Sequence, residues 1–505
     1  MDREGINILE FHDSGQRNLL IAAAGHGKTY TISELASINK NALPYLILTH
    51  THAGVASLKD KMVKRGIDSH QYVLTTIHAF CQSMILAYVS NYENIPSRED
   101  NTTEFYKYLC VKATQLVCID VVKSTIIRSY SGVIIDEYQD CNMEQHKFAL
   151  ELSKIIPLRA LGDPLQCIFD FKDTCVDFNT DFQGFNRFEF LNTPWRWINS
   201  GNTLLGEKIL KCRDHLLNRV DNNFRLVDDP QANFRVLTNF DVNSINYLQD
   251  VGRFIRAIKS DSLLIIIPTY IKYKGRRGIN TSFCNIELRA DLRSRMGLSH
   301  GFSLLESIDD KDFYRISQLL DSFFNSSFET FESFTSATCK ILETITLGVS
   351  NIKDYIKDNG KFIKKGDECK NKISSVLQNL FYQTYTKHDR KYLAKIAKYF
   401  HYDLHTTVKR PELFYDLIAA IESSHQEKSI LECMIEKRNL LRRQGRKVKG
   451  KAIGTTLLTK GLEFDSVVVF QADMIADRRN FYVAISRASR DVYLITNSEK
   501  IALKP

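Results

Sequence analysis

The 505-residue chain is too long for a single hydrophobic core and long enough for roughly two to four domains of ordinary size. Its 44% hydrophobic and 25% charged residues, with only 23 Gly and 9 Pro, exclude a mainly disordered or low-complexity chain. The 68 Lys and Arg outnumber the 59 Asp and Glu by nine, too modest an excess to name a partner by itself.

Eleven cysteines occur without a Cys-x-x-Cys pair, which argues against a zinc module or a disulfide framework and for reduced, mostly buried thiols. Residues 1–11 include acids and no long apolar run, so they read as neither signal peptide nor anchor, and the longest apolar stretches are strand-sized. A cytoplasmic location follows as the expectation.

The first recognisable unit is Asn18 to Ile38. Leu19 to Ala22 predict a short strand, Ala23 to Gly27 a loop of small residues, and Lys28 onward a helix with Leu35 turned inward. Small residues let backbone N–H groups close around phosphates at the positive end of a helix dipole. Ala22, Ala23, Ala24, Gly25, His26, Gly27, Lys28 and Thr29 are therefore the candidate phosphate loop, with Lys28 as its mobile cation and Thr29 as a Mg²⁺ ligand. Ala22 stands where the general pattern has Gly.

Gly132 to Asp140 reads as an apolar strand ending in paired carboxylates. Nucleotide hydrolysis needs such a pair, Asp136 to hold Mg²⁺ and Glu137 to orient or deprotonate the attacking water. Leu46–Leu48, Val133–Ile135, Leu263–Ile267, Val467–Phe470 and Val492–Ile495 predict strands alternating with helical stretches, which favours parallel sheets. Asp312–Phe324 and Glu412–Glu422 predict helices inside a helix-rich stretch.

Two cationic runs contain no acid: Lys272, Lys274, Arg276 and Arg277, and Lys437, Arg438, Arg442, Arg443, Arg446, Lys447, Lys449 and Lys451. Taken alone, each reads as a solvated face, although clustered Lys and Arg also supply sequence-independent nucleic-acid affinity.

The segments AAAGHGKT (22–29), LILTHTHAGVA (46–56), TIHAF (76–80), GVIIDEYQD (132–140), LGDPLQ (161–166), LNTPWRW (191–197), KGLEFD (460–465) and YVAISRA (482–488) occur in the order of the superfamily 1A DNA helicase motifs. Over nearly its whole length the chain resembles the UvrD/Rep/PcrA-type helicases. The resemblance implies two RecA-like P-loop NTPase lobes, 1A and 2A, with inserted, mainly helical 1B and 2B subdomains. Lobe 1A would occupy 1–80 and 131–188 around a small 1B insertion at 81–130. Lobe 2A would occupy 189–277 and 449–505 around a 2B insertion at 278–448.

By resemblance, ATP and Mg²⁺ are the cofactors. Gln166 would sense the γ-phosphate, Arg196 and Arg487 would reach it from the second lobe, and Tyr30, Trp195 and Glu463 would line the nucleotide, with Trp195 stacking on adenine. Thr49, His50, Thr51 and His78 would touch a nucleic-acid strand, as would Phe171 with Phe169 beside it. Core packing is the plainer reading of Trp197. The sequence departs from the family at His26, His50 and Leu457, and only Asn7 stands near the place of the family's adenine-reading glutamine.

The activity implied is an ATP-dependent 3′ to 5′ DNA helicase or translocase acting on single-stranded or tailed duplex DNA. The alternative is a DNA-gated ATPase that serves as sensor or regulatory subunit of a nuclease without separating strands. The length, the short 1B insertion and the lack of a nuclease constellation also resemble the helicase subunits of bacterial Gabija anti-phage systems. That resemblance implies a separate partner nuclease carrying Toprim and ABC-type ATPase domains; the alternative is a housekeeping repair helicase, which needs no dedicated nuclease.

Overall fold

The computed structural model describes residues 3–39, 43–89, 102–168, 175–218, 223–275, 278–307, 310–346, 352–363, 368–406, 408, 410–444, 448, 450–475 and 477–504. Phe169, Phe171, Arg276, Arg277, Arg446, Lys447 and Lys449 lie outside the described residues.

The first sheet contains β1 (Arg17–Ile21), β2 (Tyr45–Thr49), β3 (Tyr72–Thr76), β4 (Gly132–Ile135), β5 (Leu158–Gly162) and β6 (Asn186–Phe188). Their spatial order is β3-β2-β4-β5-β1-β6, and every neighbouring pair is parallel. Among the described residues seven α-helices accompany it: α1 (Arg3–Asp13), α2 (Lys28–Ile38), α3 (His52–Lys64), α4 (Ile77–Tyr88), α5 (Thr102–Leu116), α6 (Asp120–Ser129) and α7 (Met143–Leu152).

Alternate strand residues enter opposite cores. Leu19, Leu46, Leu48, Val133 and Ile135 pack with Phe80, Leu109, Ile126 and Phe148, whereas Leu20, Ile47, Ile134 and Leu161 pack with Phe11, Leu35 and Leu58. Burial on both faces is why these parallel strands read as unbroken apolar runs. The segment expected as a 1B insertion supplies α5 and α6, whose Leu109, Cys110, Ala113, Val122 and Ile126 share the core of the first sheet.

The second lobe begins with α8 (Trp195–Asn199) and α9 (Thr203–Asn218) and continues through β7 (Asn223–Arg225), β8 (Phe234–Leu237), α10 (Tyr247–Ala257) and β9 (Leu263–Ile266). After these come β10 (Tyr270–Gly275), β11 (Gly278–Phe283), α11 (Ile286–Arg295), β12 (Phe302–Leu304), β13 (Lys451–Gly454), β14 (Phe464–Val469), β15 (Ala488–Ile495) and β16 (Lys500–Ala502). Six of them form a second all-parallel sheet in the order β12-β13-β9-β14-β15-β8. Leu264, Ile266, Val467 and Val469 face one core, and Leu263, Ile265, Ile453 and Val468 the other.

Between β12 and β13 the chain forms a helical module with its own core, which runs from Phe313 to Met434 through Leu320, Phe381, Phe400 and Phe414. The expected 2B boundary at 278 falls inside the β10–β11 hairpin. The chain stays with the second lobe up to 304, because Phe302 lies beside Lys451 in the edge strand and Ala290, Leu292 and Leu304 fill that sheet's core. Arg410 fastens the module where it leaves: its Nε donates to Glu306 at 2.8 Å and its Nη2 to Asp310 at 3.0 Å. The mixed α/β architecture with two parallel sheets is consistent with RecA-like P-loop domains. No helix among the described residues is long and apolar enough to cross a membrane.

Candidate active site

The phosphate loop joins β1 to α2, and two of its residues need the left-handed backbone region: Gly25 at φ 71° and Gly27 at φ 100°. Space is as restrictive as torsion at Gly25, where a Cβ would lie 2.8 Å from Arg196 Cβ and 3.1 Å from Trp197 Cζ3. Lys28 Nζ donates to the carbonyl oxygens of Ala22 at 2.8 Å and Ala23 at 3.3 Å. The ammonium is therefore held at the mouth of the loop, next to the first-turn N–H groups of α2, which have no intrahelical acceptors. His26 is buried and takes part in a 2.8 Å hydrogen bond between Nδ1 and Ala24 O, while its Nε2 has no partner among the described residues. Burial lowers its pKa.

Asp136 and Glu137 follow β4 directly. Glu137 adopts a left-handed backbone at φ 52°, a strained conformation for a residue with a side chain. Its N–H donates to Asp136 Oδ1 at 2.9 Å, and its carboxylate accepts from Gln139 Nε2 at 2.5 Å. The two carboxyls are driven apart in acidity. Burial, reinforced by the charge of Glu137, pushes Asp136 up. Burial also acts to raise Glu137, but Lys28, Lys460, the Gln139 hydrogen bond and Arg487 outweigh it and hold Glu137 down. The site thus contains a carboxylate that stays ionised beside one whose charge calls for a cation.

The second lobe closes over this pair. Arg196 N donates to Gly25 O at 3.1 Å, its Nη1 donates to Ser486 O, and its Nη2 meets Glu463 Oε1 at 2.5 Å. Its Nε is buried and has no partner among the described residues. Arg487 Nη2 donates to Gln166 Oε1 at 3.3 Å, and Gln166 Nε2 donates to Asp163 Oδ2 at 3.0 Å. Burial lowers the Arg487 guanidinium to about 10, with Arg196 adding to the effect, so it remains a cation at neutral pH. Trp195 is 41% exposed at the rim, its Cδ1 3.3 Å from where a Gly27 Cβ would stand, whereas Trp197 is fully buried and donates Nε1–H to Ala488 O at 2.9 Å. Tyr30 is exposed on the first turn of α2, with the Arg65 guanidinium 4.1 Å from its ring centre.

These residues suit a nucleotide triphosphate with a divalent cation. A glycine cradle that a methyl group would fill, buried nitrogens of His26 and Arg196 without partners, and lysine and arginine groups facing a carboxylate pair are the donor set such an anion needs. Thr29 and Asp136 would hold the cation, whose role is to neutralise charge between the phosphates.

Among the described residues, the expected strand contacts Thr49, His50, Thr51 and His78 gather at the carboxyl ends of β2 and β3. Thr51 caps α3 by accepting from Gly54 N–H at 3.0 Å. His50 Nε2 lies 3.6 Å from Cys141 Sγ, and the half-buried His78 sits 3.3 Å from Gln145 Nε2 with its ring 4.5 Å from Tyr106. Thr49 is buried against Gly54.

Sequence reasoning missed several residues. Tyr482 Oη accepts from Ala24 N–H at 2.9 Å, Arg213 Nη2 pairs with the buried Asp163 at 3.1 Å, and Lys61 Nζ donates to Thr29 Oγ1 at 3.4 Å. Gln139 joins two motifs by donating to Glu137 while accepting from Asp163 N–H at 3.0 Å. Lys460 crosses between lobes to Asp140 and donates to Gln166 O at 2.7 Å.

Residues 11–172 match the family model described as an AAA domain. The match contains the phosphate loop, both carboxylates and Gln166, and it supports a superfamily 1 helicase-like class of P-loop NTPase related to UvrD and Rep. No curated protein matches the chain.

Proposed function

We propose that this chain is an ATP-dependent DNA helicase or translocase that couples ATP hydrolysis to 3′ to 5′ movement on single-stranded DNA. The observation that carries the reading is the division of the hydrolytic set. Lys28, Asp136, Glu137 and Gln166 come from the first lobe, Arg196, Glu463 and Arg487 from the second, and Arg487 meets Gln166 across the cleft. Arginines that stabilise the transferring phosphoryl group from a second lobe make hydrolysis depend on lobe closure, and a closure cycle linked to strand contacts is what a motor needs. His50, Thr51, His78, Phe169 and Phe171 are the strand contacts in this reading. The helical module between β12 and β13, inside the expected 278–448 segment, serves as the 2B subdomain, and the motor works in anti-phage defence beside a separate Toprim and ABC-type ATPase nuclease.

The test measures ATP turnover against single-stranded DNA, duplex DNA and RNA, together with unwinding of 3′- and 5′-tailed duplexes. Stimulation by single-stranded DNA with unwinding of the 3′-tailed duplex supports the motor. Stimulation without unwinding selects the gated sensor, and turnover indifferent to every nucleic acid overturns both. Copurification from the native operon tests the partner: recovery without a nuclease, and phage resistance unchanged when the nuclease gene is deleted, rules it out.

A further inference from the structure

The β10–β11 hairpin takes no part in the nucleotide cleft. Its register pairs Tyr270 with Phe283, Lys272 with Thr281 and Lys274 with Ile279 on one face, and Ile271 with Ser282 and Tyr273 with Asn280 on the other. The second face is the anchored one: Ile271 is fully buried in the core of the second sheet, with Tyr273 packed against that core. Gln471, itself fully buried at the end of β14, clamps the ribbon by accepting from Lys272 N–H at 2.8 Å and donating to Lys272 O at 2.6 Å. The first face is left to solvent, with Tyr270 51%, Phe283 59% and Ile279 44% exposed and the Tyr270 and Phe283 rings 5.7 Å apart.

An exposed aromatic pair on a rigid support loses free energy in water unless something covers it. Charge identifies the cover. Residues 268–286 include Lys272, Lys274, Arg276 and Arg277 and no acid, although Asp241 outside the ribbon lies close enough to Lys274 to feel its charge. Position agrees. The ribbon leaves the carboxyl end of β9 beside β13, where Ile267 N donates to Gly454 O at 2.9 Å, and ligands of open parallel sheets bind outside the carboxyl ends of their strands.

We infer that the outward face of this ribbon is a contact for single-stranded nucleic acid, Tyr270 and Phe283 stacking on bases while Lys272 and Lys274 neutralise phosphates. The inference rests on the strand-dependent motor proposed above. A single strand is the occupant because stacking needs unpaired bases, which a duplex keeps inside its helix.

The test titrates the full chain against a fluorescent single-stranded oligothymidylate by anisotropy, over a series of salt concentrations. Tyr270→Ala/Phe283→Ala weakens binding by about tenfold or more, the usual cost of losing a stacked base. Lys272→Ala/Lys274→Ala reduces the slope of log affinity against log salt by about 1.4, since each single-strand phosphate contact contributes about 0.7. Both variants keep the wild-type ATP turnover measured without nucleic acid, which shows that they fold. Wild-type affinity and slope in both variants overturn the ribbon contact and leave the motor reading standing. Losses seen only with a duplex probe overturn the single-strand assignment, and a wild-type chain that binds no strand overturns both readings.

Discussion

Lys460 of the second lobe lays its ammonium against both carboxylate oxygens of Asp140 in the first, with Oδ2 at 2.6 Å, and its side chain is only 10% exposed against 5% for Asp140. Removing one partner of so buried a pair leaves an uncompensated charge, which costs about 3–5 kcal/mol. Lys460→Met should therefore lower stability strongly, and adding Asp140→Asn should recover much of the loss, because a neutral pair has no charge to desolvate. Nucleic-acid-stimulated turnover should stay low in the double variant, since the link between lobes is still missing. Denaturant midpoints and ATPase rates for the two singles and the double check this. A double variant as unstable as Lys460→Met would show that the charge pair is not what the single disturbs.

Lys28 and Glu137 separate binding from hydrolysis. Lys28→Ala removes the ammonium held by the Ala22 and Ala23 carbonyls and fills no core space, so the fold should persist while turnover falls by about a hundredfold or more. Glu137→Gln keeps the side-chain shape but cannot accept the proton of water, and should bind nucleotide normally with turnover reduced by about 10²- to 10⁴-fold. Equilibrium nucleotide binding beside single-turnover hydrolysis distinguishes the two. Wild-type hydrolysis by Glu137→Gln would remove Glu137 from the water-activating role.

Most of the residues that sequence reasoning missed, though not Gln139, differ from these in distance along the chain. Lys28 and the Asp136–Glu137 pair were legible because phosphate binding and carboxylate pairing are written in contiguous residues. Tyr482 meets Ala24 across 458 positions and Arg487 meets Gln166 across 321. The family's motif order could suggest Arg487, but a tyrosine inside an apolar helix carries no signal for a hydrogen bond to the loop. Strands buried on both faces, such as Leu263–Ile266, were legible as apolar runs. The three-residue β12 was not, and without it the insertion's start cannot be read, because only its pairing with β13 identifies Phe302–Leu304 as sheet.

At Gly25 a methyl group is opposed twice. Its φ of 71° costs an L-residue roughly 1–2 kcal/mol, and the new Cβ would press on Arg196 and Trp197. Because Arg196 N donates to Gly25 O, any relief moves the arginine away from the cleft. Gly25→Ala should then reduce kcat more than it weakens nucleotide binding, whereas Gly66→Ala, at a positive φ with open space around it, should cost stability alone. Steady-state kinetics with thermal unfolding of both variants test the contrast. Equal losses of kcat would make the effect one of backbone strain rather than of contact with Arg196.

His50 should shape the acid side of the stability profile. Burial, with Lys460 and His78 adding positive charge nearby, lowers its pKa from 6.5 to about 3, against the weaker opposing pull of Glu137. Between those two values the unfolded chain binds a proton that the folded chain refuses, so stability rises with pH through this window. The contribution is complete above pH 6.5 and is lost progressively as pH falls toward about 3. His50→Asn retains a polar side chain without a titrating group and should flatten that limb. Urea midpoints at pH 7 and pH 5 give the readout: the wild-type chain should lose more between them than His50→Asn does. Equal losses would mean that His50 is protonated in the folded chain, and that the positive charge of Lys460 does not reach it.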